Sequence, residues 1–155
     1  MNHDPSWCYS PNYISGCCGQ QIELGDYSPE PLIVNIEAAT MQNSMFRIAL
    51  WTGSYLQLTL MSIPVGGDIG LEVHNVDQFI RIEEGQGNVW MGKSRDQLAF
   101  QGMVCRNFAI LIPAGTWHNL INTGYAPLKL YSIYAPPQHP RGTVHRTQEE
   151  AESNH

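Results

Sequence analysis

From Pro31 onward the chain is a series of short apolar runs that alternate with polar positions and are separated by turn residues. Such runs, rich in Ile, Val, Leu, Tyr and Trp, predict β-strands whose successive side chains point to opposite faces. Many short strands at even spacing indicate an all-β sandwich or closed barrel, and jelly rolls belong to that group. The predicted strands are Leu32–Glu37, Phe46–Trp51, Tyr55–Ile63, Gly70–His74, Gln78–Glu83, Asn88–Met91, Phe108–Ile112, His118–Asn122 and Leu128–Tyr134.

The two ends of the chain carry weaker patterns. Residues 1 to about 30 are rich in Pro, Ser, Gly and Tyr with little periodicity, and we expect an arm that packs on the domain or on a partner subunit. The stretch Ile36–Ser44 predicts one or two helical turns. After Pro136 the sequence turns polar, and Thr147 followed by Glu150 forms a capping-box pattern. The tail therefore either starts a short helix over 147–152 or frays.

Composition narrows the class of protein. The chain has 155 residues, which suits a single domain, and 43% are hydrophobic while 14% are charged. This low charge fraction fits well-covered strands and a buried dimer face, so we expect a homodimer. The net charge of −6, with scattered Lys and Arg, argues against nucleic acid or an anionic membrane as the partner. Neither a signal-peptide pattern nor an apolar run of about 18 residues occurs, so a cytoplasmic location is expected.

Four cysteines are present, at positions 8, 17, 18 and 105. Cys17 and Cys18 are adjacent, and neighbouring cysteines seldom reach disulfide geometry without strain. Together with His3 and Cys8 they could form a second metal site, but no recognised zinc spacing is present. Reduced thiols in a peripheral segment are therefore expected.

One segment concentrates side chains that bind metals. Strand alternation puts Glu72 and His74 on one face, and Gln78 begins the next strand after a tight bend. His118 follows a proline turn about forty residues later and offers a fourth ligand. The alternative is that the two histidines are satisfied core residues around an empty site. A buried Glu72 without a partner would then be costly, and a divalent cation removes that cost.

The donor set limits the metals that fit. Asp77 competes with Gln78 for the later position, but alternation places Asp77 on the opposite face, so Gln78 is favoured. Two imidazoles, one carboxylate and one amide oxygen suit Mn, Fe(II), Co, Ni or Zn. Such a set leaves room for water or substrate, so the metal could act as a Lewis acid, activate water or, if redox-active, engage O₂.

These residues fall into a longer frame that resembles the cupin family, which has the motifs G-x5-H-x-H-x3-E-x6-G and G-x5-P-x-G-x2-H-x3-N. The first motif is matched at every spacing, with Glu for the first His and Gln for Glu, by Gly66, Glu72, His74, Gln78 and Gly85. The second is matched, with Asn for the first Gly, by Asn107, Pro113, Gly115, His118 and Asn122.

The resemblance to cupins implies a fold and a site. The expected fold is a single jelly-roll or double-stranded β-helix barrel over residues 31–137, with an N-terminal arm over 1–30 and a polar tail over 138–155. The ligand positions of the family fall on Glu72, His74, Gln78 and His118, which are predicted to hold one divalent metal ion. A small-molecule substrate or ligand is the expected partner.

Residues near the predicted site carry further expectations. On the last strand Lys129 is predicted to face solvent, so Tyr134 faces inward and is the candidate catalytic residue; alternatively it only fills the barrel mouth. Trp117 is predicted to point away from the metal, and Asn122 to hydrogen-bond a turn. The direction of Gln57 is undecided, as is that of Asn88 and Trp90. His139 and His145 lie outside the frame.

Two classes of function remain open. The first is a metal-dependent enzyme, either a dioxygenase or an isomerase or epimerase. The ligand types are similar to those of phosphomannose-type isomerases, with Glu and Gln exchanged, and to those of quercetinase-like dioxygenases, with one His missing. No cluster of Lys and Arg is obvious for a phosphosugar; the candidates are Arg47, Arg81, Lys93 and Arg95. The second class is a non-catalytic binding or sensor protein, without the DNA-binding domain of regulatory cupins.

Overall fold

The computed structural model describes residues 12–153, except for the side chain of Cys18, and it is built mainly of β-strands. A 3₁₀ turn covers Cys17–Gly19, and two short helices are α1 (Ile36–Gln42) and α2 (Gln148–Ser153). The strands are β1 (Tyr13–Ile14), β2 (Ile33–Val34), β3 (Arg47–Thr52), β4 (Gln57–Ile63), β5 (Asp77–Glu84), β6 (Gln86–Gly92), β7 (Phe100–Cys105), β8 (Ala109–Ile112), β9 (Trp117–Asn122), β10 (Leu128–Ala135) and β11 (Val144–His145). No helix in the described range is long and apolar enough to cross a membrane.

Two antiparallel sheets form the body of the molecule. The larger has the strand order β11-β3-β4-β10-β5-β8, and the smaller has the order β7-β6-β9. β1 and β2 form a separate parallel pair. The crossovers between non-consecutive strands are those of a jelly roll, so the all-β prediction is confirmed.

The core lies between the two sheets and follows strict alternation. Along β10, Leu128, Leu130, Ser132 and Tyr134 are buried while the residues between them are partly exposed, as predicted. Aliphatic side chains from both sheets meet these positions, among them Ile63, Ile80, Ile82 and Leu120, each at most 1% exposed. The hydrophobic effect of burying this shared face holds the sheets together.

The N-terminal segment packs on the outer face of the larger sheet. Ile22 and Ala39 from this segment contact Ile48, Leu50 and Leu60 in a second apolar cluster. Asn35 caps α1 by accepting a hydrogen bond from the backbone N of Ala38 at 3.1 Å. The large sheet is therefore covered on both faces, which explains the low fraction of charged residues in its strands.

The tail is folded back against β3. β11 pairs with β3 through Val144 opposite Ile48, and Ala151 of α2 is buried. The Thr147 hydroxyl accepts a hydrogen bond from the backbone N of Glu150 at 3.1 Å, so the predicted helix start is confirmed and the frayed alternative is wrong.

The Asp26 carboxylate joins the N-terminal segment, β3 and the tail. It accepts hydrogen bonds from the Thr52 hydroxyl at 2.7 Å and from the backbone N of Gly142 at 2.9 Å. Burial alone would raise the pKa of Asp26, but these bonds and those from Ser28 outweigh burial and lower it. The hydrogen bonds at this contact therefore favour the ionised form of Asp26.

The predicted elements differ from the structure in several places. The predicted strand Leu32–Glu37 is a strand only over β2, because α1 begins at Ile36, and the two-residue strands β1 and β11 were not predicted. Gly70–His74 is extended but is not a continuous strand, since only isolated bridges at Asp68 and Glu72 pair it with β9. Strand β7 was missed, because five of its six residues are exposed and no alternation marks it.

Candidate metal centre

The extended segment before β5 runs antiparallel to β9 and carries Glu72 to His118. The backbone N of Glu72 donates to the carbonyl of His118 at 3.0 Å, and the backbone N of His118 donates to the carbonyl of Glu72 at 2.9 Å. The backbone N of Gly115, in the proline turn, donates to the carbonyl of His74 at 2.8 Å. These bonds hold two distant parts of the chain in a fixed register.

Three predicted ligands meet at one point. One carboxylate oxygen, Oε1 of Glu72, lies 3.1 Å from Nε2 of His74 and 3.4 Å from Nε2 of His118. One ligand atom from each residue lies within 4.8 Å of the other two. The imidazole of His118 is almost fully buried, while Glu72 and His74 are partly open to the pocket described below. The structure thus brings Glu72, His74 and His118 together as predicted.

The hydrogen bond made by Nδ1 of His118 fixes the tautomer of the ring. It therefore decides whether Nε2, which faces Glu72, carries a proton or a lone pair. Nδ1 of His118 lies 2.9 Å from the carbonyl oxygen of Thr116, which can only accept, so Nδ1 carries a proton. In the neutral imidazole, Nε2 then presents a lone pair to the Glu72 carboxylate. Two acceptors face each other there, and a cation between them, either a proton or a metal ion, is needed for a favourable contact.

The buried polar atoms of the site fit a metal ion. Nε2 of His74, Nε2 of His118 and Oε1 of Gln78 are all buried and have no hydrogen-bond partner of good geometry. The two histidine nitrogens contact the Glu72 carboxylate, and a cation between these groups would satisfy all of them. Burial alone would raise the pKa of Glu72, but the contacts with His118 and His74 lower it to about 2, so the carboxylate is ionised.

Gln78 lies in the interior of the large sheet. Its Nε2 donates to the Ser132 hydroxyl at 2.8 Å, which orients the amide and leaves Oε1 without a partner. Asp77, the competing ligand, is exposed and accepts a hydrogen bond from the backbone N of Ala114 at 2.9 Å. Asp77 therefore fastens the proline turn and does not face the three ligands.

Tyr134 is fully buried next to the three ligands. Its ring meets the ring of His74 edge to face with centroids 5.7 Å apart, and meets His139 in the same way at 5.2 Å. Its hydroxyl lies 3.4 Å from Nε2 of His139. Burial raises the pKa of the Tyr134 phenol and lowers that of His139 to about 3, so both are neutral near pH 7.

A cavity of about 450 Å³ opens onto Glu72 and His74, within the roughly 300–1,000 Å³ typical of small-molecule sites. Its other walls come from β3 and from the tail, which supply Arg47, His139 and His145. Sequence reasoning did not place these three residues at the site. The sequence pattern gives no signal for Arg47, because it alternates with the apolar Ile48 and Leu50; the structure puts those two side chains in the outer cluster, so Arg47 points inward.

Gln57 fastens the tail to the large sheet. Its direction was undecided from the sequence, and the structure buries it completely. Its Oε1 accepts from the backbone N of Gln138 at 3.1 Å and of His139 at 2.9 Å, and its Nε2 donates to the His139 carbonyl at 2.8 Å and to the Thr52 hydroxyl at 3.0 Å. The side chain that forms one wall of the cavity, His139, is therefore held by Gln57.

The remaining candidates have structural roles. The Arg95 guanidinium lies over the Trp117 ring, 5.6 Å from its centroid. Asn122 bonds the carbonyls of Ile63 and Ala126, which confirms its role in a turn. Trp90 is exposed and shares that outward face with Asn88. Cys17 and Cys105 are free thiols, whereas the predicted alternative site at His3 and Cys8 lies outside the described residues.

Comparison with known proteins agrees with this architecture. The family model for the cupin domain matches residues 59–134. The chain is 64% identical over 129 residues to the uncharacterized protein YrkC of Bacillus subtilis strain 168, covering 83% of this chain and 69% of that protein. It is 40% identical over 114 residues to the uncharacterized protein L612 of Acanthamoeba polyphaga mimivirus, covering 72% and 69% of the two chains.

A solved structure extends the similarity to three dimensions. The crystal structure of BH2720 from Bacillus halodurans aligns with a TM-score of 0.83 and 62% identity over 84% of this chain and 99% of that one. The chain therefore belongs to the cupin family, with the double-stranded β-helix fold that the two motifs imply. Its motif positions hold a group of residues, Glu72, His74 and His118, with the chemistry to bind a metal ion.

Proposed function

We propose that this cupin is a metal-dependent enzyme that acts on a small polar molecule in the cavity beside Glu72 and His74. The observation that carries the proposal is the convergence of Glu72, His74 and His118, whose ligand atoms lie within 4.8 Å of one another. Imidazole nitrogens offer electron pairs to a cation, and an ionised Glu72 adds one negative charge. A divalent cation held by these three residues, with Gln78 as the proposed fourth ligand, would satisfy the buried groups.

Two of the four proposed ligands have an outer hydrogen bond that orients them toward a metal. The Thr116 carbonyl holds His118 in the tautomer with a lone pair on Nε2, and Ser132 holds the Gln78 amide with Oε1 unpaired. Outer partners of this kind orient ligands and raise affinity. Mn, Fe, Co, Ni or Zn fits this donor set, and the bound ion would supply a Lewis acid for a polar substrate group.

Tyr134 is the residue that we propose assists the reaction. It is completely buried and neutral near pH 7, and its hydroxyl lies 3.4 Å from Nε2 of His139, so it can act on the substrate through His139, which lines the cavity. A phenol in this position suits an isomerase or epimerase, in which a proton moves, and a dioxygenase, in which an oxygen is held. A binding protein without turnover needs only the ligands and the cavity.

The first prediction tests this proposal on the wild-type protein. Purified without added metal, the protein is expected to carry close to one equivalent of a single transition metal by elemental analysis, because four prepared donors lower the free energy of binding. Turnover of a small polar substrate is expected to stop on chelation and to return with that metal. Oxygen-uptake assays come first if iron dominates, and isomerase assays come first if zinc or manganese dominates.

Less than about a tenth of an equivalent, with no uptake of any of the five metals, would contradict the metal proposal. A metal-loaded protein that binds small molecules but turns over neither class of substrate would instead support a sensor or binding module. The two results are separate, because metal content is measured without any substrate.

The second prediction concerns Gln78 as the fourth ligand. Ser132→Ala removes the only hydrogen-bond partner found for the Gln78 Nε2 within the described residues. The amide then loses its orientation, and Zn²⁺ affinity measured by competition with a chelator is expected to fall about 10- to 100-fold. Ser62→Ala, a buried serine outside the site, is the matched control and should leave the affinity unchanged. An unchanged affinity in Ser132→Ala would remove Gln78 from the proposed ligand set.

A further inference from the structure

Arg47 is a buried cation without an anionic partner. Its residue is 5% exposed, and it lies on the inner face of β3, between Met61 of β4 and His145 of β11. NH1 lies 3.4 Å from Nδ1 of His145, and the guanidinium also hydrogen-bonds the Tyr134 hydroxyl, whereas Nε is buried without a hydrogen bond. Among the described residues, no carboxylate lies within ion-pair distance of the guanidinium. Burying an unpaired charge is expensive, so a counter-charge is expected from elsewhere.

The residues that line the cavity do not supply this counter-charge by direct contact. Arg47 is the one Lys or Arg among the described residues that line the cavity. Of the two acidic residues in the lining, Glu72 faces His74 and His118, and Glu152 is exposed on α2. Neither forms an ion pair with the guanidinium, so Arg47 has no direct carboxylate partner in the described part of the chain.

We infer that Arg47 binds the carboxylate of a small organic acid in this cavity, so that the substrate of the proposed enzyme is an acid. This inference rests on the proposed function for the reaction, but the binding of the acid depends on Arg47 alone. A guanidinium presents paired N–H donors that match a carboxylate in a planar, bidentate arrangement. One buried guanidinium balances one carboxylate, whereas a phosphate group carries about 1.5 to 2 negative charges near pH 7.

Two different walls of the cavity would bind the two ends of such an acid. Arg47 lies on one wall, and Glu72 with His74 lies on another, so an acid anchored by its carboxylate can direct its remaining polar group toward the ligands. Binding energy from the anchored end then positions the reacting end. His145 accepts from the guanidinium at NH1 and holds Arg47 in place.

The third prediction tests this inference by calorimetric titration of the full chain with matched pairs of ligands. The probes are glycolate, lactate and benzoate, each compared with its neutral amide, and inorganic phosphate. At least one acid is expected to bind about 10- to 100-fold more tightly than its amide, because a charge-assisted bond is lost in the amide. Arg47→Gln is expected to abolish that preference without changing the Zn²⁺ content.

Two further variants complete the experiment. Arg106→Gln removes a positive charge from an exposed position and should keep the preference of the wild type. Arg47→Lys keeps the positive charge but lacks the planar guanidinium. It should still prefer the acid over the amide, with about 10-fold lower affinity than the wild type. This variant replaces Arg47→Gln in the test if Arg47→Gln does not fold. A wild type that binds no acid, or that binds acid and amide equally, or phosphate most tightly, would overturn the inference.

Each titration is run on Zn²⁺-loaded and on chelated protein, so that the two proposals fail separately. If the protein takes up no metal but prefers the acids through Arg47, the anion site is supported and the proposal of a metal-dependent enzyme is rejected. If the protein carries one equivalent of metal but shows no preference for acids, the metal centre is supported and the anion site at Arg47 is rejected.

Discussion

Replacing His118 by alanine is expected to lower the affinity for Zn²⁺ by at least about 100-fold, since loss of a ligand exceeds the 10- to 100-fold effect of losing an outer partner. His118 is the most buried of the three converging ligands, and its Nε2 lies 3.4 Å from the Glu72 carboxylate. Alanine removes a neutral donor that nothing nearby replaces. It also leaves Glu72 with His74 as its one remaining imidazole, so the ionised carboxylate is poorly compensated.

The loss is measured by competition with a chelator and by thermal unfolding with and without Zn²⁺. At 100 times the dissociation constant, the metal stabilises the wild type by about 2.7 kcal/mol, which corresponds to about 5–10 °C in Tm for a chain of this size. The Tm of His118→Ala should not respond to the same Zn²⁺ concentration. His139→Ala is the comparison, because His139 lies outside the three-ligand cluster. Loss of metal in His139→Ala with retention in His118→Ala would contradict the assigned ligands.

Replacing Gln57 by leucine is expected to destabilise the fold by about 2–4 kcal/mol, the upper range for a single substitution. The leucine has a similar volume but removes four hydrogen bonds at a completely buried position. The backbone groups of His139 lose their partners, whereas Gln138 is exposed and can turn to water. The expected fall in Tm is about 5–15 °C.

Chemical denaturation of Gln57→Leu and Gln101→Leu separates this effect from a general cost of removing an amide. Gln101 is exposed and donates one bond, to the carbonyl of Leu98, so its variant should stay within about 0.5 kcal/mol of the wild type. Because Gln57 holds the segment that carries His139, Gln57→Leu should also weaken the acid binding assigned to Arg47. Equal stability of the two variants would show that the tail does not depend on Gln57.

Several features of the site could be predicted because they are local. Alternation alone separated Glu72 and His74 from their neighbours and turned Asp77 away from Gln78, since a strand sends successive side chains to opposite faces. The capping box at Thr147 depends on a side chain and a backbone N three residues apart. The spacing of the two motifs reflects turn geometry, and it pointed to Glu72, His74 and His118, which the structure brings together.

Other features required the closed fold. β7 carries few buried side chains, so no periodicity marked it, and only its pairing with β6 defines it as a strand. Arg47 alternates with apolar residues, so its inward direction was not visible in the sequence pattern. Its neighbours in the cavity come from the far end of the chain, and the distance in sequence from Arg47 to His145 carries no information about their 3.4 Å contact.

The sequence by itself determined the all-β fold, the motif frame and the residue types that face the barrel interior, because alternation and turn chemistry act over a few residues. Only the tertiary structure decided that Glu72, His74 and His118 meet within 4.8 Å and that the tail closes a cavity over them. It also decided that Arg47 is buried there without a carboxylate. These facts depend on which distant segments the sheets bring together, and burial of their shared apolar faces sets that arrangement.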